Sequence, residues 1–270
     1  MIPTNISDNM GHNYYDNERP SVIFYDVVEE AYRPVQEEVA FYLRMAQTIT
    51  TPLLEIGCGT GRVSWPLAEA GHKVLGVDIA PAMVERAERK RACYAEEIAR
   101  RVQFIPGDAC SLNLGKTFEL ILAPYRVFNH LTTLAAQESL LTTMRRHVAA
   151  GGQVIFDTTE PIHERLCTSH DTEPLVIDLP HLGMTLERKL IAVDVDILNQ
   201  AFAMDFCYTV KTVAGDTYAH VDRLVQRCPS PSEIRQMLER TGFHLLFEFK
   251  DFKYSPPEGV GDRIWVAEAI

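Results

Sequence analysis

No stretch of about 18 uncharged apolar residues occurs in this 270-residue chain, so no segment is expected to span a bilayer as a helix. Cysteine is sparse. The six, Cys58, Cys93, Cys110, Cys167, Cys207 and Cys228, stand at long irregular intervals without a CxxC pair. That spacing excludes a thiolate zinc framework and predicts reduced, mostly structural thiols. Long basic runs are missing too, and the formal net charge is −11. Binding to a polyanionic duplex or tRNA rests on Lys/Arg contacts to phosphate, so nucleic acid is a disfavoured partner. Met1 to Pro20 lacks the basic-then-apolar order of a secretory signal, which makes the cytoplasm the expected location.

What the chain does have is the composition of a globular protein with a sizeable core, 46% hydrophobic and 23% charged. From Pro52 to Asp157 short apolar runs alternate with helix-like segments. The runs are Leu53–Ile56, Val74–Val77, Val102–Ile105, Leu120–Ala123 and Val154–Phe156; the helical stretches include Gly61–Ala70, Pro81–Arg101 and Thr133–Ala149. Apolar strands separated by helices predict an α/β fold with a parallel sheet covered on both faces. Beyond Pro174 the pattern changes to the β-rich runs Leu175–Leu179, Met184–Val195, Gln200–Val213 and Thr217–Arg227, with Ala214-Gly215-Asp216 as a hairpin turn. These predict an antiparallel β-sheet inserted into the parallel fold. Helix resumes at Ser230-Pro231-Ser232-Glu233, a capping-box pattern, and Phe243–Phe252 with Arg263–Ala269 read as a closing strand pair.

The segment Leu53-Leu54-Glu55-Ile56-Gly57-Cys58-Gly59-Thr60-Gly61-Arg62 runs a buried strand into a glycine turn that opens a helix. Such a turn lets backbone approach a ligand closely, at the strand ends where open α/β sheets bind. A dinucleotide fingerprint is G-x-G-x-x-G. Here the spacing is G-x-G-x-G, with Glu55 two residues before the first glycine. A carboxylate beside the loop repels a pyrophosphate and suits an ammonium or sulfonium; S-adenosylmethionine (SAM) carries both and has no phosphate. Asp78 ends the second strand 17 residues after Gly61, where an acid takes both ribose hydroxyls. Asp108 closes the third strand in Phe104-Ile105-Pro106-Gly107-Asp108-Ala109, in reach of an adenine amino group.

The ordered set Glu55-x-Gly57-x-Gly59-x-Gly61, Asp78, Gly107-Asp108 and the strand Phe118–Pro124 resembles the class I SAM-dependent methyltransferases, over residues 50 to 160. The resemblance implies a doubly wound, seven-strand Rossmann-like sheet, with Ser230–Ile270 supplying a reversed last strand. It implies SAM as cofactor and S-adenosylhomocysteine (SAH) as product. Carried over by position, Gly57 and Gly59 lie against the methionine moiety and Asp78 against the ribose, with Glu55, Cys58 and Arg62 as further cofactor contacts. Asp108 and Ala109 contact the adenine, Ile79 and Met83 pack on its face, and Ala123 closes the set at the fourth strand.

That strand runs on through Pro124-Tyr125-Arg126-Val127-Phe128-Asn129-His130-Leu131. Methyltransferases of nucleobase amino groups carry an (Asn/Asp/Ser)-Pro-Pro-(Tyr/Phe) motif there, and Ala123-Pro124-Tyr125 departs from it. Phe128-Asn129-His130-Leu131 is similar instead to amino-sugar N-methyltransferases and related antibiotic-tailoring enzymes, where a His faces the acceptor. Phe24-Tyr25-Asp26 with Tyr32 resembles their Tyr-Asp lid helix. These likenesses imply His130 as general base or orienting partner, since an ordinary imidazole titrates near 6.5. A capping histidine is the alternative. Tyr25 is read as a lid residue or a core ring. Tyr14, Tyr15, Tyr125, Arg126 and Phe128 are expected substrate contacts, Arg126 reading equally as a partner for a surface carboxylate. The other histidines lack metal spacing, and no metal is expected.

The reading is therefore N-methylation of a small-molecule amine, with O-methylation as the nearest alternative. A noncatalytic SAM-binding module and a nucleotide-dependent oxidoreductase compete from other classes. No membrane partner is expected, and a homo-oligomer is compatible. The expected division is an N-terminal arm with lid helices over 1–49 and a SAM-binding core over 50–173 and 229–270. The inserted sheet over 174–228 would serve as acceptor roof or dimer contact.

Overall fold

The computed structural model describes residues 19–32, 36–159, 173–259 and 261–270. The chain divides into two compact units, one of Gln36–Glu160 with Cys228–Ile270 and one of Met1–Val35 with Pro161–Arg227.

The larger unit holds, in chain order, α3 (Gln36–Ala46), β1 (Leu53–Ile56), α4 (Ser64–Glu69), β2 (Val74–Asp78), α5 (Pro81–Arg89), α6 (Glu96–Ala99), β3 (Val102–Pro106) and β4 (Phe118–Ala123). It continues with α7 (Val127–His130), α8 (Leu134–His147), β5 (Val148–Thr159), α9 (Pro231–Arg240), β10 (Phe243–Phe249) and β11 (Asp262–Ala269). Its seven strands lie in the order β10-β11-β5-β4-β1-β2-β3. β1 to β5 run parallel to one another, and β11 is antiparallel to both β5 and β10. The sheet is the seven-strand, doubly wound arrangement with one reversed strand that the sequence predicts.

Two apolar clusters cover its faces, one around Leu54, Ile56, Phe128, Phe156 and Trp265, the other around Leu53, Trp65, Leu122 and Ile155. Alternate residues of the same strands feed the two clusters, which is why these strands read as largely apolar runs. Connections from β1 lead outward to β2 and β3, and the chain then crosses to β4 on the other side of β1. That reversal opens a crevice at the C-terminal ends of β1 and β4.

The single helix expected over Pro81–Arg101 is a correction. It breaks after α5 into a 3₁₀ turn, Lys90–Cys93, and the short α6. Tertiary contacts win over helical pattern there. Tyr94 stacks on the indole of Trp65 at 4.2 Å between centroids, and the Arg91 guanidinium donates to the carbonyls of Ala99 and Val102. Ser230 caps its helix as the sequence reads, accepting from Glu233 N at 3.3 Å, and Thr133 does the same for α8, accepting from Ala136 N at 3.1 Å.

The smaller unit holds α1 (Pro20–Ile23), α2 (Tyr25–Tyr32) and four antiparallel strands in the order β6 (Leu175–Leu179), β7 (Met184–Asp196), β8 (Ala201–Thr212), β9 (Thr217–Arg227). Phe24, Val27 and Val28 pack with Leu179, Leu186, Phe206 and Tyr208 to make its core. Asp222, fully buried on β9, accepts from Ser21 N at 2.9 Å and Arg19 Nη1 at 3.2 Å, fixing α1 to the sheet. Gly215 takes the positive φ of the β8–β9 turn, 93°.

Candidate active site

Three glycines of the loop after β1 have positive φ, 69° at Gly57, 53° at Gly59 and 78° at Gly61. Their surroundings differ. A Cβ on Gly57 would sit 2.2 Å from Val127 Cγ2, and one on Gly61 would meet Trp65 and Phe104 below 3 Å. Among the described residues, a Cβ on Gly59 would meet nothing within 4 Å. The outer two glycines are thus packed and the middle one faces open space, which is the shape of a seat for a ligand.

Asp78 at the tip of β2 braces this loop. Its Oδ2 accepts from Gly59 N and its Oδ1 from Ala80 N, both at 2.8 Å. Burial raises the Asp78 carboxyl, and the bonds from Ala80 and Gly59 work against the rise. Glu55 lies inside the fully buried β1 and accepts from Ser64 Oγ. Burial lifts its carboxyl to about 8, with the Ser64 bond and the charge of Arg62 opposing. Cys58 is buried beside them, its thiol pushed well up by burial and then by Asp78 and Glu55.

Beyond Asp78, Ile79 is 51% exposed although it directly follows a buried strand, while Met83 on α5 is buried. Asp108 is exposed and accepts from Cys110 N at 2.8 Å and Ser111 Oγ at 3.2 Å, and Ala109 packs at the edge of the core. Ala123 is fully buried at the end of β4. The structure thus brings Glu55, the three glycines, Asp78 and the segment after β4 together, through the Asp78–Gly59 bond and the Gly57–Val127 contact.

Tyr125 and Arg126 both have left-handed backbone, φ 61° and 62°, which costs non-glycine residues of order 1 kcal/mol or more each. The turn is held from β5 and β11. Arg126 N donates to Asp157 Oδ2 at 3.1 Å, Tyr42 OH to Asp157 Oδ1 at 3.3 Å, and Arg126 Nη2 to both oxygens of Asp262 at 3.0 Å. Arg126 therefore pairs with a protein carboxylate, one of its two expected readings. Asn129 fixes α7 to the end of β5, accepting from Thr159 N at 3.0 Å and donating to Thr159 O at 3.3 Å.

His130 ends α7 and is partly exposed. Burial of the ring, and then the charge of Arg126, push it down to about 4, so at neutral pH it is an uncharged hydrogen-bonding group and a weaker base than an ordinary imidazole. Phe128 corrects an expectation. It has no exposed surface and stacks on Phe156 at 4.9 Å, so its ring serves the core and offers no face to an acceptor here. Arg62 gives both Nη atoms to Glu38, at 2.7 and 2.9 Å, and its guanidinium lies 4.6 Å from the Tyr125 ring centroid. Tyr25 opens α2 in the smaller unit and is half-buried; Tyr14 and Tyr15 lie outside the described residues.

Sequence reasoning missed Glu38, Ser64, Asn129 and Asp157. Asp157 carried a signal, an acid directly after the apolar run Val154–Phe156, parallel to Asp78 after its own strand. Glu38 carried none, because its partner Arg62 is 24 residues away.

Residues 53–152 match the family described as "Methyltransferase domain". The chain is 30% identical over 137 residues to the cypemycin N-terminal methyltransferase of a Streptomyces species, across 51% of this chain and 54% of that protein. It thus spans about half of that relative's length. Among solved structures it is similar to the CcbJ methyltransferase of Streptomyces caelestis, with a TM-score of 0.73 at 21% identity, covering 95% of this chain and 98% of that one. It is also similar to SAM-bound CalS10, an amino pentose methyltransferase of Micromonospora echinaspora, with a TM-score of 0.67 at 20% identity, covering 91% and 96%. The sheet order agrees with those solved folds, and residues 53–152 match a methyltransferase domain.

Proposed function

We propose that the protein transfers a methyl group from SAM to a nitrogen of a small amine-bearing molecule. The observation that carries the reading is the glycine seat, open at Gly59 and tied by that residue's N–H to the Asp78 carboxylate. Gly57, Cys58, Gly59 and Arg62 would border the amino-acid end of the cofactor, with Glu55 beneath. Asp78 would take the ribose hydroxyls with the lone pairs its backbone bonds leave. Exposed Ile79 would lie against the adenine, with Met83 beneath it and Asp108 and Ala109 at its edge. Ala123 would close the floor. Bound SAM supplies an electrophilic methyl group on a sulfonium and departs as SAH.

The chain's own part is to orient the acceptor and exclude water, which supplies most of what such a displacement needs. His130 favours an amine over a hydroxyl. A neutral imidazole held near 4 accepts a hydrogen bond from an N–H and so aims the nitrogen lone pair, but it is too weak a base to draw the proton from an alcohol. A neutral amine needs no such base, and its extra proton is lost to water after transfer. Tyr125, on the same segment after β4, would be a further contact for the acceptor. The N-terminal methyltransferase among the relatives supports nitrogen as the acceptor atom.

Two measurements test the proposal. Calorimetry is expected to show SAH binding and no binding of NAD or NADP; the reverse pattern would overturn it. Radiolabelled SAM with a panel of small amines and matched alcohols is expected to label amines, and label confined to alcohols would replace nitrogen by oxygen as the acceptor.

A further inference from the structure

We infer that Glu38 is a positioning residue for the carboxylate of the cofactor, acting through the guanidinium of Arg62. The inference deepens the SAM reading above and rests on it. Glu38 lies in the first turn of α3 and is 1% exposed. Its two oxygens take two N–H groups of Arg62 in a fork–fork pair, while the same guanidinium lies over the Tyr125 ring, 4.6 Å from its centroid. The fork fixes the edge of the group and the ring restricts it from another side, so its position has little freedom. Arg62 follows Gly61 directly, and its place is set by the same turn whose middle glycine faces open space.

The local charges say what this cation is for. The amino-acid end of SAM is zwitterionic. Asp78 in β2, and Glu55 in β1 once the ammonium has drawn off its proton, favour the ammonium and repel the carboxylate, so a cation must stand beside them for the carboxylate. Arg62 is the cation the loop itself provides, directly after Gly61. Stability alone gives no reason for Glu38, since desolvation offsets most of the attraction in a buried ion pair, and apolar partners of equal size serve as well. Orientation gives one. A guanidinium has five N–H donors in a rigid fork, and holding two of them on Glu38 determines where the others point.

The test is calorimetry with two ligands, SAH and its decarboxylated analogue, on the whole protein. Glu38→Gln, which keeps the shape and one acceptor, is expected to weaken SAH about tenfold, the loss of one charge-assisted hydrogen bond. The decarboxylated analogue should change by less than about twofold. Arg62→Met should weaken SAH by at least as much, and adding Glu38→Gln to it should cost nothing more, the non-additivity of two residues acting as one. Equal weakening of both ligands would make Glu38 merely structural, and unchanged or tighter SAH binding by Glu38→Gln would likewise overturn the assignment. Should Glu38→Gln fold poorly, Arg62→Lys keeps the charge without the fork and should show the same selective loss. Wild-type protein that binds neither ligand would sink the SAM reading itself, a result distinct from either.

Discussion

At the scale of single residues, Asp78 joins two duties usually argued apart. It braces the loop through Gly59 and Ala80, and it is the residue proposed to take the ribose. Asp78→Asn keeps the shape and one acceptor but loses charge, and each charge-assisted bond is worth about 1.5–3 kcal/mol. SAH affinity is expected to fall about tenfold or more by calorimetry; an unchanged value would leave Asp78 only the bracing duty. His130 separates differently. His130→Phe is expected to lower kcat toward the amine found in the labelling screen while leaving SAH affinity within about threefold, since the proposed role of the ring touches the acceptor alone. Parallel losses in both would make it structural. Legibility at this scale followed sequence distance. Glu55, Asp78 and the glycines stand next to the apolar runs that announce them. The Arg62–Glu38 and Arg126–Asp157 partnerships join residues 24 and 31 positions apart, and no local pattern encodes them.

Among elements, the coupling of interest is between the loop after β1 and the segment after β4. Gly57 has φ 69°, and its missing Cβ is the space that Val127 fills. Gly57→Ala is therefore expected to meet two penalties, a left-handed backbone costing about 1 kcal/mol and a clash that pushes α7 away from the loop. The thermal midpoint should drop and SAH binding weaken. Adding Val127→Ala should restore part of the midpoint, because it removes the clash and leaves the backbone term. A double variant no better than Gly57→Ala would show that the contact is unimportant. The strands were legible because both of their faces are largely buried and nearly every position is apolar, Glu55 in β1 and the exposed Glu119 in β4 aside. The inserted sheet was legible through its β-rich runs and the turn at Gly215. The break at Lys90–Cys93 was not, because Tyr94 and Arg91 are drawn toward Trp65 and the carbonyls near β3. Phe128 misled for the same reason. Its place beside His130 in sequence says nothing of which way a four-residue helix turns its rings.

For the whole molecule, Glu55 and His130, both in the larger unit, set opposite slopes of stability against pH. Glu55 has a folded value near 8 against an ordinary 4.5, so the folded state binds the extra proton, and stability is lost as pH rises between those values. His130 has a folded value near 4 against 6.5. The unfolded state then binds the extra proton, and stability is lost as pH falls from 6.5 toward 4. Between 4.5 and 6.5 the two slopes cancel; between 6.5 and 8 only that of Glu55 remains. The wild type should thus lose about 2 kcal/mol across that upper window, at about 1.4 kcal/mol for each pH unit per proton. Denaturant titrations at a series of pH values read this directly. Glu55→Gln is expected to flatten the upper window, and His130→Phe to uncover a decline that starts near 4.5. Saturating SAH should also flatten it, because an ammonium near Glu55 favours the ionised carboxylate and binding then releases a proton. Calorimetry in buffers of different ionisation heat would count that proton. An upper window equally steep in Glu55→Gln would show that Glu55 is already ionised in the empty site, with another group carrying the slope.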